Sequence, residues 1–212
     1  MINFSKYKVI LWDFDGVLMD SMPVRDRGFE IVLSSYPQHE VEKLLIYHRQ
    51  NGGLSRYVKF KYFFEQIRNE TITSAQVDSL ASEFSEVMRR ELVNRALLIE
   101  ESVAYVKENH KKFKMHVVSG SDQTELRYLC DALGLKDYFE SIHGSPTPKK
   151  ELVNSVLNIY KYTPEEIVFI GDSMNDYDAA SLHGIDFYGY NNVSLENIGV
   201  GYIQAFDSVY NL

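Results

Sequence analysis

A single cysteine, Cys130, leaves the chain no internal disulfide and suits a reducing compartment. It reads as a small apolar residue on a buried helix face. There is no basic excess either: the formal net charge is −8 at pH 7, which disfavours nucleic acid as a partner. The most basic stretch, "HKKFK" from His110 to Lys114, is short and reads as the charged end of a helix. No apolar run approaches the ~20 residues of a membrane span. The early run "VILW" is too short for a signal-peptide core and is interrupted at once by "DFDG". Internal repeats and low-complexity linkers are missing. The six histidines are scattered, without paired metal spacing, and read as surface or packing residues. These absences predict a soluble, cytoplasmic protein that binds neither nucleic acid nor membrane, as a monomer or homodimer.

What is present is an ordinary globular composition, 45% apolar and 25% charged over 212 residues, enough for one large domain or one domain with a smaller insert. "KYKVILWD" reads as a buried strand. From Met22 to about Arg95 the pattern is helical, with helices expected over Val24–Tyr36 (stopped by Pro37), His39–Gln50, Ser55–Ile67 and Ser74–Asn94. Helix and strand then alternate: Glu101–Lys111 helical, "FKMHVVSG" a strand, "SGSD" leading into a helix ended by Gly134, and "YFESIHG" a short strand. Lys149–Tyr160 is a helix, Thr163–Glu166 a capped turn, "IVFIGD" a strand, Asp176–His183 a helix, and "DFYGY" the last strand. Such alternation builds a parallel sheet covered on both faces, an α/β fold, with the helical block as an insert. The expected division is a Rossmann-like core of residues 1–18 plus 96–212 and a helical-bundle cap of residues 19–95.

Ligands in such sheets bind beyond the carboxyl ends of the strands, and the polar residues collect there. "LWDFDGVLMDS" places Asp13 and Asp15 straight after the first core strand, two carboxylates that repel unless a cation or a proton intervenes. Ser119 and Gly120 follow the second, and Asp172 follows "IVFIG", with Asp176 one helical turn further. An all-oxygen cluster without His or Cys suits Mg²⁺, which commonly bridges to a substrate phosphate. A hydroxyl and free amides at Ser119–Gly120, before a helix whose Asp122 and Glu125 are placed for a capping box, suit an anion. Lys149 opens the next helix, an end where cations are disfavoured unless an anion needs neutralising.

Four motifs therefore occur in order: "DFDGV", "VVSGS", a lysine in "PTPKKEL", and "GDSMND". Together they resemble the haloacid dehalogenase superfamily, specifically its magnesium-dependent phosphatases with a helical cap, of the phosphoglycolate phosphatase and β-phosphoglucomutase type. The resemblance covers nearly the whole chain. It implies Asp13 as nucleophile, forming an aspartyl-phosphate, and Asp15 as acid and then base. It implies Mg²⁺ held by Asp13, the Asp15 carbonyl and Asp172, and Asp176 binding a metal-held water or orienting Lys149. Ser119, the Gly120 amide and Lys149 would hold the phosphoryl oxygens. Lys149 is preferred to Lys150 because the following residues match the family's spacing. Asn175 either caps its helix or touches the phosphoryl group.

The cap stretch "GGLSRY" is similar to the loop that sugar-phosphate enzymes of this family lower onto substrate. Arg56 would then meet the leaving group, or a second anionic group on it, by a bidentate fork; the other reading is an exposed arginine after an N-cap at Ser55. Lys43, Lys59 and Lys61 read as solvated. Arg25 stands where the mutases keep a histidine. The cap aromatics Tyr57, Phe60, Tyr62, Phe63 and Phe64 read as cap core, and Trp12 as sheet core. The implied activity is hydrolysis of a small phosphorylated metabolite such as a sugar phosphate or phosphoglycolate. The alternatives are a phosphosugar mutase and a non-catalytic binding protein. The hinges of a closing cap are expected near Met19–Pro23 and Arg95–Ile99.

Overall fold

A computed structural model describes residues 2–210. In chain order the strands are β1 (Ile2–Asn3), β2 (Val9–Trp12), β3 (Lys114–Asp122), β4 (Ser141–Ser145), β5 (Ile167–Gly171), β6 (Asp186–Tyr190), β7 (Gly201–Ile203) and β8 (Val209–Tyr210). The α-helices are α1 (Met22–Val32), α2 (Gln38–Gln50), α3 (Arg56–Tyr62), α4 (Ser74–Glu91), α5 (Glu100–Asn109), α6 (Gln123–Ala132), α7 (Lys149–Tyr160) and α8 (Met174–Leu182). The main sheet has six parallel strands in the order β4-β3-β2-β5-β6-β7, and β1 pairs with β8 in a separate two-stranded piece. The fold is the α/β one expected, a parallel sheet with helices on both faces.

Residues of β2 alternate between two cores, because successive side chains of a strand point to opposite faces. Ile10 and Trp12 join one apolar cluster, Val9 and Leu11 the other. Val168 and Ile170 against Ile167 and Phe169 divide the same way on β5. That is why both strands read as unbroken apolar runs. Trp12 is fully buried, as expected, with its ring tilted against Tyr105 and Phe206.

Helices α1 to α4 all lie between β2 and β3 in the chain and pack on one another. Their core is aromatic: Phe29 against Phe60 and Phe84, with Phe63 buried beside Phe64. Gly28 has no Cβ where one would overlap Phe84 and Met88, so α1 and α4 approach closely. The two chain crossings into this insert hydrogen-bond to each other, Ile99 N–H to Leu18 O at 3.0 Å and Asp20 N–H to Leu97 O at 2.8 Å.

Several expected boundaries move. Helix α1 starts at Met22, with Pro23 in its first turn, and ends at Val32; Pro37 instead precedes α2. Helix α4 ends at Glu91, and α3 ends at Tyr62, with the residues beyond it, Phe63–Ile67, π-helical. Thr163 caps no backbone N–H, and Pro164–Glu166 is a 3₁₀ turn. Strands β1, β7 and β8 were unforeseen: two or three residues long, they carry too little pattern to announce themselves, and neighbouring strands define them.

Candidate active site

Asp13 leaves β2 with its N–H still bonded to Ile170 O at 3.0 Å, so the parallel ladder with β5 fixes it at the carboxyl edge of the sheet. Asp172 follows β5 directly, and Ser119 and Gly120 lie in the later half of β3, just beyond Val117, the register partner of Trp12. Lys149 opens α7. Its ammonium is buried between Asp13, 3.0 Å away, and Asp176, while Lys150 is exposed. Asp176 also closes a capping box, taking the Ser173 N–H at 3.0 Å and hydroxyl at 2.6 Å.

Oxygens of Asp13, Asp172 and Asp176 lie within 4.8 Å of one another. Two glycines permit this crowding: a Cβ on Gly16, whose φ is +77°, would overlap the Asp172 carboxylate, and one on Gly171 would overlap Asp176. Burial, then the Asp176 charge, push the Asp13 carboxyl up to about 7 despite Lys149. Burial, Asp13 and Asp176 hold Asp172 well above the usual carboxylate range. Burial works against the charge on Lys149, but Asp13 and Asp176 raise it above the ordinary lysine range. One ammonium does not balance these carboxylates. A hard, all-oxygen donor set with surplus negative charge fits Mg²⁺.

The Asp15 carboxylate points elsewhere, away from that cluster. Its Oδ1 accepts from Ser21 Oγ at 2.5 Å and Arg25 Nε at 2.7 Å, and its Oδ2 from Ser121 Oγ. Burial works to raise this carboxyl, but Arg25 and the hydroxyls of Ser121 and Ser21 outweigh it and hold Asp15 below the usual range.

Above the strand ends sits the loop from Asn51 to Ser55. A Cβ on Gly120 would overlap the Gly53 carbonyl, so the two segments approach here as bare backbone. Gly120, Lys149 and Asn175 line one cavity of about 90 Å³ with Gly53 and Leu54. Asn175 does not cap α8, whose N-cap is Ser173; it donates to Gly53 O at 2.8 Å.

Of the reading of "SRY" as a cap followed by an exposed arginine, only the cap holds. Ser55 caps α3, accepting the Val58 N–H, yet Arg56 is buried, not exposed. Its Nη1 donates to Ser85 Oγ at 2.7 Å and Glu125 Oε2 at 2.6 Å, its guanidinium lies over the Phe84 ring, and its Nη2 is buried without a partner. Lys43 and Lys61 are exposed as expected, but Lys59 is not solvated: its ammonium lies 2.7 Å from His48 Nδ1 and 3.3 Å from Gly52 O. Burial, then Arg25, push Lys59 down to about 7, and burial, then Lys59, push His48 down to about 2, so His48 is neutral. A cavity of about 30 Å³ is lined by Asp15, Arg25, His48, Arg56 and Lys59. Three cationic side chains face it or pair beside it, against the carboxylates of Asp15 and Glu125.

Glu125 and Lys59 join this site although no motif in the sequence marks them for it. Glu125 occupies the reciprocal position of a capping box, but Asp122 alone caps α6, accepting the Thr124 and Glu125 N–H groups at 3.0 Å. Lys59 falls on the face of α3 that also carries the buried Arg56 and Phe60, and a lysine among such neighbours was the available signal.

Residues 7–184 match the model of the haloacid dehalogenase-like hydrolase family. The chain belongs to that family. It is 25% identical over 193 residues to the phosphorylated carbohydrates phosphatase of Thermotoga maritima, covering 86% of this chain and 84% of that protein. It is 24% identical over 198 residues to phosphoglycolate phosphatase 1 of Pseudomonas aeruginosa, covering 87% and 71%. In fold it is similar to CbbY of Rhodobacter sphaeroides, solved with xylulose 1,5-bisphosphate, with a TM-score of 0.79 at 15% identity over 97% of both chains. The chain is a hydrolase, and the class these sequence relatives share is that of phosphoric monoester hydrolases.

Proposed function

We propose that this hydrolase is a magnesium-dependent phosphatase of a small phosphorylated metabolite, acting through a phosphorylated Asp13. The observation that carries the reading is the buried contact of Asp13 with Lys149, at the one strand end where Asp172 and Asp176 also converge. Asp13, the Asp15 carbonyl and Asp172 would hold the metal, with Asp176 behind them. Bound there, Mg²⁺ supplies positive charge to the transferring phosphoryl group and relieves the repulsion among the carboxylates.

In the first step an Asp13 oxygen attacks phosphorus and the ester P–O bond breaks; the leaving oxygen takes a proton from Asp15. In the second, water attacks the same phosphorus, Asp15 takes its proton, and the P–O bond to Asp13 breaks to release phosphate. Arg25 favours the carboxylate form of Asp15 that the second step uses. The entering phosphoryl group, a further negative charge, favours the protonated form that the first step uses. Ser119, the Gly120 amide and Lys149 hold the phosphoryl oxygens, which is most of what catalysis of this transfer requires.

The leaving group faces the insert. Arg56 with its unpartnered Nη2, and Lys59 with only neutral partners, make a place for a second anionic group on the substrate. Phosphate release from a panel of phosphorylated metabolites with Mg²⁺, with Asp13→Asn as the blank, tests the reading. Turnover abolished in the blank supports it, and no release from any compound would remove it.

A further inference from the structure

Glu125 is fully buried in the first turn of α6, on the sheet side of the cleft, yet both its oxygens are taken by arginines of the helical insert. Oε1 accepts from Arg25 Nη1 at 3.2 Å and Oε2 from Arg56 Nη1 at 2.6 Å. Arg25 in turn spends its other nitrogens on the site: Nε on Asp15 Oδ1 at 2.7 Å and Nη2 on Ser121 Oγ at 2.8 Å, whose hydroxyl bonds Asp15 Oδ2. Charges alternate along the row Asp15, Arg25, Glu125, Arg56, and each step crosses between sheet edge and insert: Asp15 after β2, Arg25 on α1, Glu125 on α6, Arg56 on α3.

We propose that Glu125 is a positioning residue, which seats the insert's two arginines when it is lowered onto the sheet and, through Arg25, fixes the Asp15 carboxyl against the leaving oxygen. The part concerning Asp15 rests on the phosphatase reading above. Physical necessity supports the arrangement. Without Glu125, two buried guanidinium groups face each other across a neutral gap, and an uncompensated buried charge is strongly unfavourable. The relief open to them is to separate, which lifts α1 and α3 and withdraws Arg25 from Asp15. Because Asp122 caps α6 by itself, the Glu125 side chain is free for this task, and its place at a helix N-terminus favours its charge.

The test is Glu125→Gln in the full chain, read in two ways. First, backbone hydrogen exchange is expected to quicken in residues 51–55 and at the crossings near Met19 and Leu98, with β2 and β5 unchanged; unaltered exchange there would overturn the seating role. Second, turnover is compared for p-nitrophenyl phosphate, whose leaving group departs as a stable anion, and for an alkyl phosphate, whose leaving oxygen needs the proton from Asp15. The alkyl ester is expected to lose about tenfold or more beyond the loss for p-nitrophenyl phosphate, within the usual worth of a general acid. Equal losses for both esters would show a merely structural lesion and overturn the link to Asp15. Should Glu125→Gln fail to fold, Glu125→Asp, which keeps the charge but shortens the reach, takes its place with the same expected differences in smaller degree. A wild-type chain that hydrolyses neither ester removes the phosphatase reading and with it the link to Asp15, while the exchange result decides the seating role on its own.

Discussion

Asn175 Nδ2 donates to the carbonyl oxygen of Gly53 at 2.8 Å, fastening the helix that follows Asp172 to the loop that covers the site. Gly53 leaves no room for a side chain. A Cβ at Gly53 would meet Ser173 Oγ at 2.6 Å and Asn175 Cβ at 2.8 Å. Gly53→Ala is therefore expected to lift the loop and lower kcat/KM by about 10- to 100-fold, as misplacements near an ångström do. Asn175→Ala, losing one neutral hydrogen bond of ~1 kcal/mol, should cost only about fivefold. Steady-state kinetics on the two variants check the order.

The carboxylates of Asp13, Asp172 and Asp176 repel one another within 4.8 Å, so a cation that binds them stabilises the folded chain. Thermal melting in rising Mg²⁺ should show this, with ~2.7 kcal/mol gained at a hundredfold excess over the dissociation constant. Chelator should reverse it, and Asp172→Asn should blunt it. A melting temperature indifferent to Mg²⁺ in the wild type would count against the metal site.

Lys59 carries a pKa of about 7, against an ordinary 10.5, because of burial and then Arg25. The unfolded chain therefore holds this proton between pH 7 and 10.5 when the folded chain does not, and Lys59's contribution makes stability rise with pH across that window. Binding of a second anion works the other way, since it favours the ammonium. Affinity for a substrate bearing one should weaken above about pH 7, and in Lys59→Met it should fall about tenfold at pH 6, a loss of ~1.4 kcal/mol. A substrate without that group should show neither effect; equal behaviour of the two substrates would rule out Lys59 as an anion contact.

His116 is fully buried on β3 between Ser141 Oγ, at 2.7 Å, and the Tyr162 hydroxyl, at 3.1 Å. Burial, then His143, lower its pKa to about 4. Between pH 4 and 6.5 the unfolded chain binds the proton and the folded chain does not, so this histidine makes stability rise with pH there. The contribution is on the order of 3 kcal/mol. Urea midpoints of the wild type and His116→Gln, compared from pH 4 to 7, should diverge most at neutral pH and converge as the pH falls.

The order of the longer strands, β2 to β6, and of the helices, and the residues at those strand ends, were legible in the chain itself. Buried parallel strands must be continuous apolar runs, "VILW" and "IVFIG", and a carboxylate directly after such a run can only sit at the sheet's edge. Asp13, Asp172 and Lys149 are each fixed by their place in one short segment, so sequence order was enough to gather them. What the tertiary structure alone decided is which charges neutralise which. Glu125 sits 100 residues from Arg25 and 69 from Arg56, and it looked like half of a capping box until the fold gave the cap to Asp122. Lys59 looked like a solvated residue until α2 closed over it with His48. Local periodicity states which face of a helix is buried, not what that face is buried against, and a buried charge takes its meaning from its partner.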